Sequence, residues 1–362
     1  MTRSARFSYL VCATLTLSTH SAWAFWPFDS NPAEEVRAAT AAATTAAAKG
    51  DPDNPSTPSA PPVRCALMGD YAVADWLNTI NLGSFMDFSS KYVLDHDQCF
   101  VFFNSCQDAS FWVEPYGFYS HYRSSLKQNH KMDFTLASYG SDLGAKFAIN
   151  NCLNLGGGVG YFHSNLHDKE DNKKAEINGI YFGPALEYLF SEGSVQFTAF
   201  GVKNYYDGPD SASDGSWDVN LRLEAEYDYI PPSDCCIADF MIHPLVRIDY
   251  LNVFEESPDR HSSFFYSKLG SRFDKVAYCS QALILTANLD VAWINMTPLT
   301  GDSVHCKSQS LNVRPDSKNQ LGLGVELVGM HKNGMLIGLE YDAALGANAP
   351  MQTGRVRIEW NW

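Results

Sequence analysis

Residues 217–229, WDVNLRLEAEYDY, alternate without a break. Trp217, Val219, Leu221, Leu223, Ala225, Tyr227 and Tyr229 are apolar or aromatic, and Asp218, Asn220, Arg222, Glu224, Glu226 and Asp228 between them are polar. A period of two over thirteen residues is a strand with two unlike faces. The same pattern recurs from Phe111 onward, with no convincing helix between segments. It predicts twelve strands, at 111–123, 134–149, 152–164, 176–189, 194–206, 216–229, 240–252, 264–272, 280–294, 319–330, 335–345 and 354–362. Many reach the ~10 residues that a tilted strand needs to cross a bilayer. Strands of soluble proteins run ~5–6.

The connections sort themselves. SSLKQNHK, NLHDKEDNKKA, DGPDSASDGS, EESPDRHSS, the long stretch from Asn295 to Asn319 and GANAPMQTG alternate with NN, SEGS and HKNG. Two of the alternate connections are longer, PPSDCCIAD and one near FDKVAYC. Long loops at one end and mostly short turns at the other mark an up-and-down transmembrane β-barrel. The greasy face then meets lipid and the ionic face meets water. Leu283, Leu285, Ala287, Leu289, Val291 and Trp293 are expected outside, as are Leu321, Leu323, Val325 and Leu327. Trp217, Tyr227 and Tyr229 fit the two aromatic girdles. Arg222, Glu224, Glu226, Arg247, Asp249, Glu326, Glu340, Arg355 and Arg357 are expected to line the lumen, read most simply as a solvated ion-pair ladder.

The two ends fit a membrane destination. The start MTRSARFSYLVCATLTLSTHSAWA has a basic head, a short apolar run and the small-x-small pair Ala22 and Ala24, which reads as a signal peptide over 1–24. Residues 25–62 are low in complexity and read as a tether. Residues 63–110 read as a short passenger, plug or lumen segment. Within them DYAVADWLNTI predicts a short helix with Ala72, Trp76, Leu77 and Ile80 on one side, and CFVFF (99–103) a short strand. The segment 111–362 is the barrel. Its last strand carries Val356, Ile358, Trp360 and Trp362 on the apolar face, the pattern that the outer-membrane assembly machinery grips by strand pairing. Outer-membrane lipids, that machinery and periplasmic chaperones are the expected partners. A net charge of -15 disfavours nucleic acid as a partner.

FWVEPYGFYS (111–120), the glycine-rich SYGSDLGAKFAINNCLNLGGGVGYFHS, IHPLVRIDYLNVFEESP followed by SKLGSRF, LDVAWINM, NQLGLGVELVGMHKNGMLIGLEYDAALG and GRVRIEW come in an order that resembles the translocator domain of autotransporters, the type V secretion barrel of Gram-negative bacteria. The resemblance covers the C-terminal ~250 residues. It implies a twelve-stranded barrel threaded by a segment that links it to an N-terminal passenger. Only about 85 residues lie between the signal and the barrel, with no repeat of a β-helical passenger. The expected role is therefore a barrel that anchors and translocates a short N-terminal segment, with its long loops as an interaction surface. A porin is the alternative, and a barrel-embedded hydrolase the second.

Eight cysteines follow the signal. An oxidising periplasm makes disulfides the expected fate of Cys65, Cys99, Cys106, Cys152, Cys235, Cys236 and Cys279, within the chain or to other envelope proteins, as in chlamydia-like bacteria. Cys306 falls in an outer loop. Cys235, Cys236 and His243 lack the two-residue spacing of a zinc site. GDSVH (301–305) has no identifiable orienting acid, and GGGVG (156–160) lacks the lysine of a phosphate loop. Glycine there serves bending or close packing. No catalytic residue, cofactor or metal is predicted.

Overall fold

The computed structural model describes residues 64–82, 109–123, 132–169, 172–208, 215–231, 240–255, 260–280, 282–300, 303–306, 309–312, 319–346 and 349–361. The signal, the tether, the segment 99–103 and Trp362 lie outside them. A helix, α1 (Arg64–Asn81), precedes the strands β1 (Ala109–Arg123), β2 (Asp133–Asn150), β3 (Leu153–Asp168), β4 (Lys173–Phe190), β5 (Gly193–Asp207), β6 (Gly215–Tyr227) and β7 (Met241–Glu255). Then come β8 (Arg260–Cys279), β9 (Leu283–Thr300), the short pair β10 (Ser303–Cys306) and β11 (Gln309–Asn312), β12 (Asn319–His331), β13 (Met335–Leu345) and β14 (Met351–Asn361). Twelve strands close a barrel, each beside its sequence neighbour, with β1 sealing against β14. Every pairing is antiparallel. The strands of β10 and β11 form a separate hairpin in the β9–β12 connection.

Closure satisfies the ladder on both edges of every strand, which lets the wall face hydrocarbon. The period of two then fixes the faces. Trp217, Val219, Leu221, Leu223 and Tyr227 stand exposed on the outside. Leu289, Val291, Trp293, Leu321, Leu323, Val325 and Leu327 do the same, and so does Phe182, 54% exposed. The positions between them face inward and are buried or half-buried.

The interior divides into two halves. Toward the end with the long connections, the loop end, the inward side chains are apolar: Tyr122, Phe134, Leu136, Ile177, Val202, Val253, Phe264 and Met296 belong to one cluster with Trp76 and Leu77 of α1. Toward the turn end most are charged, beside a small apolar cluster of Ile284, Val328, Met330 and Leu336. The expectation of a wet, ionic lumen throughout is thus corrected. The loop-end half is a dry core, because a helix fills it.

Two further departures have local causes. The stretch FDKVAYC is strand rather than connection: β8 continues to Cys279, paired with β9 through a register shift between Val276 and Tyr278. Such a bulge interrupts the alternation by which strands are read. The β10–β11 hairpin has strands of only four residues, too short to show a period.

The glycine-rich β2 and β3 have a packing reason. The Trp112 ring of β1 lies against Gly144 of β2, and the Tyr181 ring of β4 against Gly160 of β3, so closely that a Cβ at either glycine would overlap the ring. We expect Gly144→Ala to cost about 1–3 kcal/mol through overpacking. Urea unfolding of the detergent-refolded barrel measures this; an unchanged midpoint contradicts it.

Candidate functional site

The side chains of α1 are buried on all sides from Asp70 to Leu82. A surface helix would show one wet face. This helix instead sits inside the barrel, and barrel and helix form one compact unit. Its apolar stripe, with Val73, Trp76, Leu77 and Ile80, belongs to the loop-end core. Trp76 lies 5.8 Å from the Phe264 ring and Tyr71 stacks on Tyr206 at 4.4 Å.

Its polar side chains bond to the wall strand by strand. Asp75 accepts hydrogen bonds from the Tyr206 hydroxyl and from Ser216 Oγ, the latter at 2.9 Å. Asn78 Oδ1 accepts from Ser138 Oγ at 2.7 Å, and Ser164 Oγ donates to Ser138 beside it. Thr79 Oγ1 donates to Asp218 Oδ2 at 2.7 Å. At the C-terminal end, Asn81 Oδ1 accepts from Thr353 Oγ1 at 2.5 Å, and the Asn81 carbonyl accepts from Arg355 Nη2 at 3.0 Å. A cation there satisfies an orphan carbonyl and opposes the helix dipole. These bonds reach β2, β5, β6 and β14, so α1 is tied along the arc of wall from β14 through β1 to β6.

The helix also has a direction. Tyr71 stacks near the end of β5, where the β5–β6 connection begins, whereas Asn81 reaches Arg355, part-way down β14. The N-terminal end of α1 therefore points to the loop end.

Below Asn81 the wall is charged. Arg222 Nε and Arg247 Nε grip the two oxygens of Asp249 at 2.7 and 2.6 Å. Arg355 reaches Asp342 at 2.7 Å, Glu340 at 3.2 Å and Glu114 at 3.7 Å. Arg357 reaches Glu359 at 3.1 Å. Three arginines also lie on rings: Arg222 on Phe200, Arg247 on Tyr266 and Arg357 on Trp112. Glu326 Oε2 accepts from Asn288, and Glu226 from Arg272. Arg222, Arg247, Asp249, Glu226, Arg355 and Arg357 are buried, whereas Glu224, Glu326 and Glu340 are half-buried. Arg222 is 0% exposed, whereas Glu224, Arg247, Glu326, Glu340 and Arg355 line a polar cavity in the lumen, so the ion pairs are packed at the wall and open toward that cavity.

Val356, Ile358 and Trp360 lie on the lipid side of β14. Cys152 sits in an exposed turn with its thiol free, against the expectation of a bridge within the chain. Pairing requires a second Cα within about 7 Å, and the neighbouring turn, Ser191 and Glu192, carries no cysteine. Cys279 ends β8. Cys65 begins α1. Cys99, Cys106, Cys235 and Cys236, like Ala22 and Ala24, lie outside the described residues.

The sequence reading missed the seat itself: Asp75, Asn78, Thr79 and Asn81, and their partners Ser138, Tyr206, Asp218 and Thr353. One clue was available. From Met68 to Leu82 the segment carries two aspartates and no cation, a poor composition for a solvated helix.

A twelve-stranded membrane barrel with a helix seated in its lumen defines a class of threaded outer-membrane barrels. The family model described as Autotransporter beta-domain matches residues 111–342, and the chain belongs to that family. Among solved structures the fold is similar to the β-domain of the Bordetella autotransporter BrkA, with a TM-score of 0.52 and 13% identity over 70% of this chain and 100% of that one. It is also similar to the translocator domain of the autotransporter NalP from Neisseria meningitidis, with a TM-score of 0.52 and 12% identity over 81% of this chain and 98% of that one. The transport unit of the autotransporter AIDA-I from Escherichia coli gives a TM-score of 0.53 and 14% identity, over 81% and 99%. At such identities the likeness speaks for the fold alone. By sequence, no curated protein matches the chain significantly. The protein is an autotransporter-type translocator barrel of the Gram-negative outer membrane.

Removing Asp249 would leave Arg222 and Arg247 facing each other in a buried site. We expect Asp249→Ala to destabilise the barrel by about 3–5 kcal/mol. The midpoint of its thermal mobility shift on electrophoresis reports this. A midpoint equal to that of the parent protein contradicts it.

Proposed function

We propose that the barrel anchors a short N-terminal segment at the cell surface, with α1 as the leg that passes through the lumen. The carrying observation is the direction of α1, whose first turn faces the long loops; in this reading the chain before Arg64 is exported at that end. In this reading the signal is removed after Ala24 and residues 25–63 form the exported piece. The loop end is the outer end, as in other outer-membrane barrels. The charged lattice below the helix holds the barrel round while the chain is threaded. The lipid-side row Val356, Ile358 and Trp360 of β14 suits recognition by the assembly machinery through strand pairing. The β-domain family is a non-enzymatic barrel family, and we read this chain's role as anchoring and export rather than catalysis.

A diffusion channel is the less favoured reading, because its path would run through the space that α1 occupies. Excising residues 64–82 separates the two. In planar bilayers the intact protein should conduct poorly and the shortened one should open a stable pore. Equal conductance of both forms contradicts the anchor reading.

The export claim has its own check. A tag placed beside Asn54 should be labelled by a membrane-impermeant reagent on intact cells. Labelling only after permeabilisation contradicts export.

A further inference from the structure

At the turn end of the lumen three strands bring one histidine against three carboxylates. Glu226 of β6, Asp228 just past it and His243 of β7 each offer a ligand atom, and these atoms lie within 4.8 Å of one another. His243 Nδ1 is 2.8 Å from Asp228 Oδ1 and 3.4 Å from Glu226 Oε1. Ligand atoms on a tetrahedron with bonds of ~2.0–2.1 Å lie about 3.3 Å apart. We propose that these residues form a binding site for a divalent transition ion of the zinc class, with His243 Nδ1, Asp228 and Glu226 as ligands.

The other side of the imidazole carries the second observation. His243 is 2% exposed. Its Nε2 is buried and lies 3.1 Å from Asp274 Oδ2, without the alignment of a full hydrogen bond. Carboxylates thus face both ring nitrogens, whereas a neutral imidazole has one proton to donate. An imidazolium would donate at both nitrogens and still leave the cluster one negative charge in excess, whereas an ion on Nδ1 meets Asp228 and Glu226 directly. The single proton then sits on Nε2 and points at Asp274, which is the carboxylate–histidine–metal relay that orients ligating histidines. Arg272 holds the outer ring in place, with Nε on Asp274 Oδ1 at 3.1 Å and Nη2 on Glu226 Oε1 at 3.0 Å. A divalent ion would balance the charge that three carboxylates carry in excess of one guanidinium.

The scaffold is rigid where the site needs it. Tyr229 and Ile242 exchange two backbone hydrogen bonds of 2.9 Å, which sets Asp228 opposite His243. The Asp228 amide donates to the Glu192 carbonyl at 2.7 Å. Asp228 is also the open side, with 31% of its side chain exposed, while His243 and Glu226 are enclosed. One nitrogen with carboxylate oxygens selects zinc or a similar first-row ion over calcium or magnesium. Its effect in the fold would be to tie β6 to β7 beside the 232–239 connection.

The test uses the full-length chain refolded in detergent, with free thiols alkylated so that cysteine cannot bind the ion. Equilibrium dialysis against zinc chloride, followed by elemental analysis, should find one zinc per barrel. Cobalt substituted for zinc should show the visible bands of a nitrogen- and oxygen-ligated ion. Asp274→Asn should weaken binding about 10–100-fold, and His243→Gln should abolish it. Should His243→Gln fail to fold, Asp228→Asn at the open rim decides, with an expected loss of at least about tenfold. The proposal is overturned if the folded, alkylated barrel takes up no zinc. It is also overturned if Asp228→Asn binds as tightly as the parent, or if zinc binds only when the thiols are left free.

Discussion

In hydrocarbon no water answers a free peptide group, and each one left unpaired costs several kcal/mol. That single constraint shapes this protein. It forces the strands to pair on both edges, and pairing on both edges forces closure. Here the closure is made where β1 meets β14. Once the sheet is closed, alternation along each strand leaves no choice of face. Leucine, valine and aromatic side chains go to the lipid, and everything else must find company inside.

The inside is where this barrel departs from a water-filled tube. An eighteen-residue helix brings its own apolar side chains into the loop-end half, and the wall answers with phenylalanine, tyrosine and aliphatic residues. The polar groups of the helix then have to be satisfied in a space with little room for water. Serine, threonine, tyrosine and aspartate from four strands bond Asp75, Asn78, Thr79 and Asn81, while Trp76 Nε1 and Asn78 Nδ2 make no hydrogen bond among the described residues. Further down, where the helix ends, the wall becomes a lattice of arginines held between carboxylates and aromatic rings. Packing above and charge below divide the labour: one holds the threaded segment, the other braces the cylinder beneath it.

Much of the wall was legible in the sequence because its signal is local and repeated. From Trp217 to Tyr227 every side chain announces its face, and the same holds from Leu283 to Trp293. The reading failed where the period breaks. Lys275 and Tyr278 of β8 looked like loop because a bulge shifts the register there. The helix was legible as a helix, but its surroundings were not. Asn78 meets Ser138, sixty positions away, and Asn81 meets Thr353, 272 positions away. No periodicity in one chain records a partner at that distance. The lumen charges were placed from alternation alone, yet their packing into a lattice around a polar cavity depended on neighbours across three or four strands.

The claim on which the rest depends is that α1 lies inside the closed wall. Cysteines introduced at Asn78 and Ser164, one on the helix and one on β3, test it most directly in the intact membrane. Under mild oxidation, peptide mapping by mass spectrometry should recover the two positions as one cross-linked pair, in a barrel that keeps its folded mobility. A folded barrel in which the pair never forms would contradict the account.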